Sequence, residues 1–312
     1  MSSELRIGRK GHPVDRVEKR SAIVELLAST GSLEITRHEI KAGRHIWLYA
    51  SDEWSGFELF YILSGTISLE GGGEGDPVTL GPGDYLYHHG LPEKEYFRVE
   101  TDIEILLVAN APSFHLMRDE LEGIVALAVS VEEKDPLTEG HCSRLDRLAI
   151  ATGERLGLSA QQLIDLSYAA YLHDVGKVKV PDEILNKEGP LSEDEWEEMK
   201  RHPDHGVEIL KEKAFLGAAA EIVRGHHERY DGTGYPQGLK GEEIPIGARV
   251  VAVVDTYDAI VSARPYKKAL AKNEAISELE KNSGTQFDPE VVRAFLQVVG
   301  RVDDDEELSD AK

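Results

Sequence analysis

Hydrophobic periodicity changes character at Pro112, and that change splits the chain into two folding problems. Between Ser32 and Asn110 the apolar residues come in short runs rich in Ile, Tyr, Phe, Thr and Val: SLEITRHEI, HIWLYA, LFYILSGTISLE, YLYHH and IEILLVANA. Closely spaced turn signals (KAG, SGT, EGGGEGDP, GPGD, HGLP) separate them, which predicts an all-β barrel or sandwich. EGGGEGDP lacks the Lys-Ser/Thr that would make it a phosphate loop. After Pro112 the spacing is helical to the end of the chain. FHLMRDELEGIVALAVSVEEK sets Leu116, Leu121, Ile124, Val125 and Leu127 at three- and four-residue intervals, an amphipathic segment suited to joining two domains. Ser159 is a polar cap ahead of AQQLIDLSYAAYLHD, and Ser192 with Glu195 has capping-box spacing before a helix expected to end near His202. Gly206, Gly217 and Gly225 punctuate further helices, and IPIGARVVAVVDTYDAIVS reads as a buried one.

The predicted organisation is therefore two-domain: an N-terminal extension over 1–30, an all-β domain over 31–112, a helical connector over 113–134, an all-α domain over 135–300 and an acidic tail over 301–312. Within the extension, SAIVELLAST is a candidate helix, and the tail RVDDDEELSDAK is expected to fray.

Charge narrows the partners. The chain carries 58 acidic and 35 basic side chains, a net of −23, and no large segment is strongly basic. Binding to long nucleic acids, which relies on clustered Lys and Arg, is not expected. A lone cysteine, Cys142, cannot form an internal disulfide, the N-terminus shows no apolar signal region, and no apolar run approaches the roughly 20 residues of a membrane helix. The expectation is a soluble, cytoplasmic protein with no membrane partner.

The helical half concentrates groups that bind metals. His173-Asp174 closes an apolar helix and is followed by Val175, Gly176 and Lys177; taken alone, an adjacent His-Asp pair is most simply a helix-end hydrogen bond. Two further features reverse that preference. His226-His227-Glu228 places two consecutive imidazoles at another helix end, and Asp255 interrupts ARVVAVVDTYDA, where a carboxylate must be paired or hold a metal. With His141 and His202 these groups supply imidazole nitrogens and carboxylate oxygens without thiolate, a set that suits Fe, Mn or Zn and argues against a Cys-rich structural zinc site.

HDVGK (173–177), HHERYDGTGYP (226–236), GLKGEEIPIGARVVAVVDTYDAI (238–260), RPYKKAL (264–270) and GTQFDP (284–289) together resemble the HD-GYP family of metal-dependent cyclic di-GMP phosphodiesterases. The resemblance spans about Asp135 to Gln297, and five blocks occur in the family's order and spacing. It implies hydrolysis of cyclic di-GMP by a metal-activated hydroxide to linear pGpG, with GMP as the alternative end product, an alternative that the missing third-metal glutamate leaves open. It implies two divalent ions, Fe or Mn first, with Zn, Ni or Mg as alternatives. The implied ligands are His141, His173, Asp174, His202, His226, His227 and Asp255, with Asp174 bridging. Asp174 and Lys177 are the implied catalytic residues, and Asp135, Tyr235, Arg264 and Lys267 the implied substrate contacts. His205 matches no ligand position. Some members hold a third metal through a glutamate four residues before the first histidine; Leu137 stands there, with Glu139 the nearest carboxylate. Lys177 can stabilise charge on the leaving oxygen or simply offset a helix dipole. Glu228 can orient an imidazole or make a helix-end salt bridge. The rival readings are another cyclic or linear nucleotide as substrate, such as cyclic GMP-AMP, and a non-catalytic dinucleotide- or protein-binding regulator.

SGFELFYILSGTISLE and LGPGDYLYHHGLPE resemble the two blocks of the cupin barrel through Glu58, Gly65 and Pro82-Gly83-Asp84. The family's metal histidines are missing: Ser51 to Trp54 and Glu93 occupy those places, and of His88 and His89 only one can face the interior. The resemblance implies a regulatory or dimerising module rather than a second active site, with a small-molecule ligand and a homodimer as its expected partners. Trp47, Trp54, Tyr61, Tyr85 and Tyr87 are the candidates to line a pocket or fill the core.

Overall fold

A computed structural model describes residues 7–9, 11–18, 22–48, 50, 56–70, 78–110, 114, 123, 140–213, 216–262 and 271–309, with side chains to 300. The chain divides into two compact units, Met1–Gly123 and Ile124–Lys312.

The first unit is built from two antiparallel sheets. Strands β1 (Asp15–Glu18), β2 (Ala22–Thr30), β3 (Leu33–Ile40), β5 (Phe57–Ser64), β8 (Tyr85–His89) and β10 (Ile103–Ala109) form one, in the order β1-β2-β3-β10-β5-β8. Strands β4 (His45–Leu48), β6 (Ile67–Glu70), β7 (Thr79–Leu80) and β9 (Glu95–Val99) form the other, in the order β4-β9-β6-β7. Along β10 every second side chain is buried, and Ile103 and Ile105 meet Ile62, Ile67, Phe97, Val99 and Leu48 in one core drawn from both sheets.

Two expectations are corrected in this unit. The described part of SAIVELLAST is not a helix: Ala22–Thr30 is β2, paired with β3 along its length and with β1 on its other edge, so Asp15–Glu18 and Ala22–Thr30 of the expected extension join the sheet. Its apolar spacing fits either period, and cross-strand pairing decides the outcome. Tyr61, Tyr85 and Tyr87 neither line an interior nor fill a core. Parity puts them on the outer face of β5 and β8, exposed, because Glu58, Ile62 and His88 take the inner positions. His88 is buried and His89 exposed. Trp47 is half-buried opposite Tyr96, and residues 51–55, Trp54 among them, lie outside the described residues.

The second unit is helical: α1 (His141–Arg155), α2 (Ala160–Leu172), α3 (Asp182–Leu185), α4 (Glu193–Met199), α5 (His202–Leu210), α6 (Gly217–Gly225), α7 (Ile246–Val261), α8 (Lys272–Lys281) and α9 (Pro289–Ser309), with 3₁₀ turns at Val175–Lys179 and Gly241–Glu243. Ser159 and Ser192 close capping boxes with Gln162 and Glu195, as their spacing predicts. Helix α7 is buried through Ala248, Val250, Val251, Val253 and Val254, packed with Leu145, Leu166, Leu210 and Phe295. Gly206 does not end a helix; it sits inside α5, where a methyl group would press on Val223. The acidic tail is helical as far as Ser309, since no Gly or Pro after Gly300 stops α9. Most of the expected connector, 113–134, lies outside the described residues. No described helix is long and apolar enough to cross a membrane.

Candidate metal centre

Four helix ends and the middle of α7 converge on one point. Asp174, His202, His226 and His227 bring one potential ligand atom each to within 4.8 Å of one another, and His141, His173 and Asp255 do the same beside them. These are the seven residues singled out in the sequence. Asp174 faces both groups: its Oδ2 lies 3.2 Å from His173 Nε2, while its Oδ1 lies 3.4 Å from His202 Nε2 and 3.9 Å from His226 Nε2. Asp255 Oδ1 is 3.6 Å from His141 Nε2 and 3.9 Å from His173 Nε2. Asp255 is half-buried rather than enclosed. It opens onto the centre from a helix whose other faces are packed.

The aim of four of the imidazoles is set by Nδ1. His173 Nδ1 donates to the Ala170 carbonyl at 3.1 Å, His202 Nδ1 to Met199 at 2.9 Å and His226 Nδ1 to Val223 at 2.6 Å. Each acceptor is a carbonyl in the last turn of α2, α4 or α6, where helix geometry leaves it free. A carbonyl only accepts, so Nδ1 carries a proton and Nε2 faces the centre, with its lone pair free wherever the imidazole is neutral. His141 is fixed differently: its Nδ1 lies 2.7 Å from Asp258 Oδ2, and Arg144 grips the same carboxylate through Nε at 2.7 Å and Nη2 at 2.9 Å.

The donor set fits a cation. His202 Nε2 and His226 Nε2 face each other at 3.5 Å, an arrangement of two lone pairs that repels unless positive charge sits between them. His141 Nε2 and His173 Nε2 are buried without a hydrogen-bond partner. Burial, then the neighbouring imidazoles, hold His226 well below the ordinary histidine range; burial and His202 push His227 down to about 3. Both are therefore neutral at physiological pH, the form in which an imidazole could ligate a metal. At His173 burial also favours the neutral form, but Asp174 and Asp255 outweigh it and lift the imidazole to about 9. Burial likewise opposes ionisation of Asp174, yet Lys177 and His173 hold its carboxyl well below the usual range. The carboxylates thus retain positive charge at this point whatever its source.

Local packing requires two glycines. The 3₁₀ turn after Asp174 lies so close to the start of α5 that a methyl group on Gly176 would collide with the His202 carbonyl oxygen. That contact sets His202 beside Asp174. Gly234 packs on the backbone of His227 to Arg229 with no room for a methyl group, and the Tyr235 N–H reaches the His227 carbonyl at 3.3 Å. Tyr235 consequently stacks on His227, with ring centroids 4.8 Å apart. Burial, then Asp174, raises its phenol above the ordinary range, so it stays a neutral donor.

Lys177 Nζ is 2.9 Å from Asp174 Oδ2. Asp135, Arg264 and Lys267, and with them Leu137 and Glu139, lie outside the described residues. His205 sits on α5 outside both ligand groups.

One residue of the site escaped the sequence reading, and a second was read there with another task. Asp258 is the partner of His141; its place one turn after Asp255 in the apolar helix was the available signal. Glu228 has a different task from either one expected. It is 3 % exposed and accepts the backbone N–H groups of Gln237 (2.6 Å), Gly238 (3.1 Å) and Leu239 (3.1 Å), so it anchors the loop that carries Tyr235. The GTQFDP block straps the same loop from outside: Tyr230 and Asp231 donate their N–H groups to the Gln286 and Thr285 carbonyls.

Comparison with known proteins places this geometry. The family model described as an HD domain matches residues 126–291. The cyclic di-GMP phosphodiesterase response regulator RpfG of Xanthomonas campestris is 45 % identical over 180 residues, 57 % of this chain and 48 % of that protein. A cyclic di-GMP phosphodiesterase of Thermotoga maritima is 44 % identical over 55 % of this chain and 48 % of its own length. The 3′3′-cGAMP-specific phosphodiesterase 2 of Vibrio cholerae is 36 % identical over 56 % of this chain and 34 % of its own length. The chain spans about half the length, or less, of these curated relatives. With the matched domain covering the ligand cluster and the GYP loop standing beside it, the chain belongs to the HD-domain family and is of the HD-GYP type.

Proposed function

We propose that this chain is a metal-dependent phosphodiesterase that opens cyclic di-GMP to linear pGpG, with GMP as the alternative end product. The observation that carries the reading is the pair of ligand groups joined by Asp174, whose two oxygens face opposite groups. Two divalent ions, Fe or Mn before Zn, Ni or Mg, suit seven nitrogen and oxygen donors without thiolate. When bound, such ions supply Lewis acidity, lowering the pKa of water and neutralising phosphate charge.

The chain's own groups supply the rest. Asp174 orients both ligand groups. Lys177, held by Asp174, keeps a cation beside the phosphate and is placed to stabilise or protonate the leaving oxygen. Tyr235 offers a neutral hydroxyl donor from a fixed loop. Asp135, Arg264 and Lys267 are the proposed further contacts to the dinucleotide, the two cations gripping phosphate oxygens. An acidic chain can accept a small dianion because about four positive charges gather at one spot.

A second substrate, cyclic GMP-AMP, is raised by the relatives named for it, at lower identity than those named for cyclic di-GMP. The N-terminal sheets are proposed to close into a cupin-like barrel that senses a small molecule and mediates a homodimer. The single buried Cys142 favours the cytoplasm.

The test is product identification by chromatography after Mn- or Fe-loaded protein meets cyclic di-GMP and cyclic GMP-AMP. Conversion of cyclic di-GMP that is lost in Asp174→Ala with folding retained is expected. Binding without product from well-metallated protein would remove the enzyme reading.

A further inference from the structure

The ligands and Lys177 recognise phosphate, which every nucleotide shares, and leave the base unread. One side chain beside them has the chemistry to read it. Trp196, in the middle of α4, is 45 % exposed, and among the described residues it is the one large apolar side chain of the helical unit left in solvent. Its direction follows from its ring contact with Tyr235, and the end of its helix lies beside the centre, where the Met199 carbonyl accepts from His202 Nδ1. The capping box of Ser192 and Glu195 fixes the start of the helix.

The indole meets Tyr235 edge-on, with ring centroids 6.2 Å apart and planes at 78°, and Tyr235 stacks on His227. An unbroken aromatic path therefore runs from a metal-ligand imidazole to the solvent. Two rings at nearly a right angle form a corner, in which a planar heterocycle can stack on one face while meeting the edge of the other.

We propose that Trp196 is the base-stacking wall of the substrate site and binds a purine ring in the corner it makes with Tyr235. The inference rests on the phosphodiesterase reading and extends it to the part of the nucleotide that the metal ligands do not touch. Stacking of a base on an aromatic side chain tolerates any purine, so the wall confers affinity for the base while leaving the choice between guanine and adenine to groups on its edge.

Steady-state kinetics of the metal-loaded full chain provide the test. Trp196→Ala is expected to raise KM for cyclic di-GMP about 5- to 100-fold, with a smaller change in kcat, and Trp196→Phe to fall between. In parallel, GMP should quench tryptophan emission of the wild type more than that of Trp196→Phe, whereas ribose 5-phosphate, which lacks a base, should not separate the two. A KM within twofold of wild type in Trp196→Ala, or equal quenching by GMP and ribose 5-phosphate, overturns the base-stacking wall and leaves the phosphodiesterase reading standing. Absence of cyclic di-GMP turnover by the wild type refutes that reading, and the wall with it.

Discussion

Replacing Asp258 with Asn isolates what holds His141. The side chain keeps its size but loses its charge and one of its two acceptor oxygens. Asp258 now accepts from His141 Nδ1 on Oδ2 and from Arg144 on both oxygens. In Asn, one terminal atom becomes an NH₂ donor. If the NH₂ faces Arg144, two donors oppose each other. If it faces His141, the imidazole must give up its Nδ1 proton and take one on Nε2, which closes its lone pair to the cation. Either arrangement forfeits one charge-assisted hydrogen bond, about 1.5–3 kcal/mol for a buried group. In metal affinity that corresponds to roughly a 10- to 100-fold loss, the range seen when a partner of a ligand histidine is removed. Competition against a chromophoric chelator measures it directly, and urea unfolding of the metal-free protein shows whether the loss is one of affinity or of fold. Affinity within twofold of wild type, with the fold intact, would refute the claim that Asp258 sets the imidazole.

Other outcomes follow from the same geometry. Glu228→Ala leaves three backbone N–H groups without their acceptor and is expected to cost about 2–3 kcal/mol in urea unfolding; amide exchange at 237–239 should rise with it, and unchanged protection would remove the anchoring role. Gly176→Ala forces the turn off α5 and is expected to destabilise the helical unit by 2 kcal/mol or more, on the order of other buried steric clashes, with metal binding falling in step. In the β unit, burial raises Glu58 to about 7, so the folded state holds a proton that the unfolded chain releases near its ordinary value. That stability is present below about 4.5 and is lost as pH rises toward 7. Compared at each pH by thermal melting, Glu58→Gln should gain on the wild type across this window and hold its lead above it; a difference independent of pH would refute the assignment.

The seven clustered donors were legible mainly through the HD-GYP resemblance, because an adjacent His-Asp pair taken alone reads as a helix-end hydrogen bond and His141 and His202 stand far from the other blocks in sequence. The partners of those donors were less visible. Asp258 differs from Asp255 only in facing α1 rather than the cluster, and a three-residue offset along a helix does not say which carboxylate meets which neighbour. Glu228 looked like an imidazole partner because His227 precedes it, yet the groups that donate to it are backbone amides nine to eleven residues away, brought back by a turn that only tertiary structure defines. The β2 segment shows the same limit in the fold: AIVELLAST satisfies two periods, and strand β3 chooses between them. Tyr61, Tyr85 and Tyr87 were misplaced because the face of a strand depends on register, which one residue of slip inverts.

Three of the clustered histidines are held by carbonyls in the final turns of helices that would otherwise end unsatisfied. Each imidazole is thus aimed by the helix that precedes it and owes nothing to the loop that follows. Insertions or deletions in the intervening loops, such as 186–191 between α3 and α4 or 211–216 between α5 and α6, would change the outline of the protein without turning a single donor atom. The centre behaves as a set of interchangeable sockets, and the surrounding loops are free to diversify around a fixed point of chemistry.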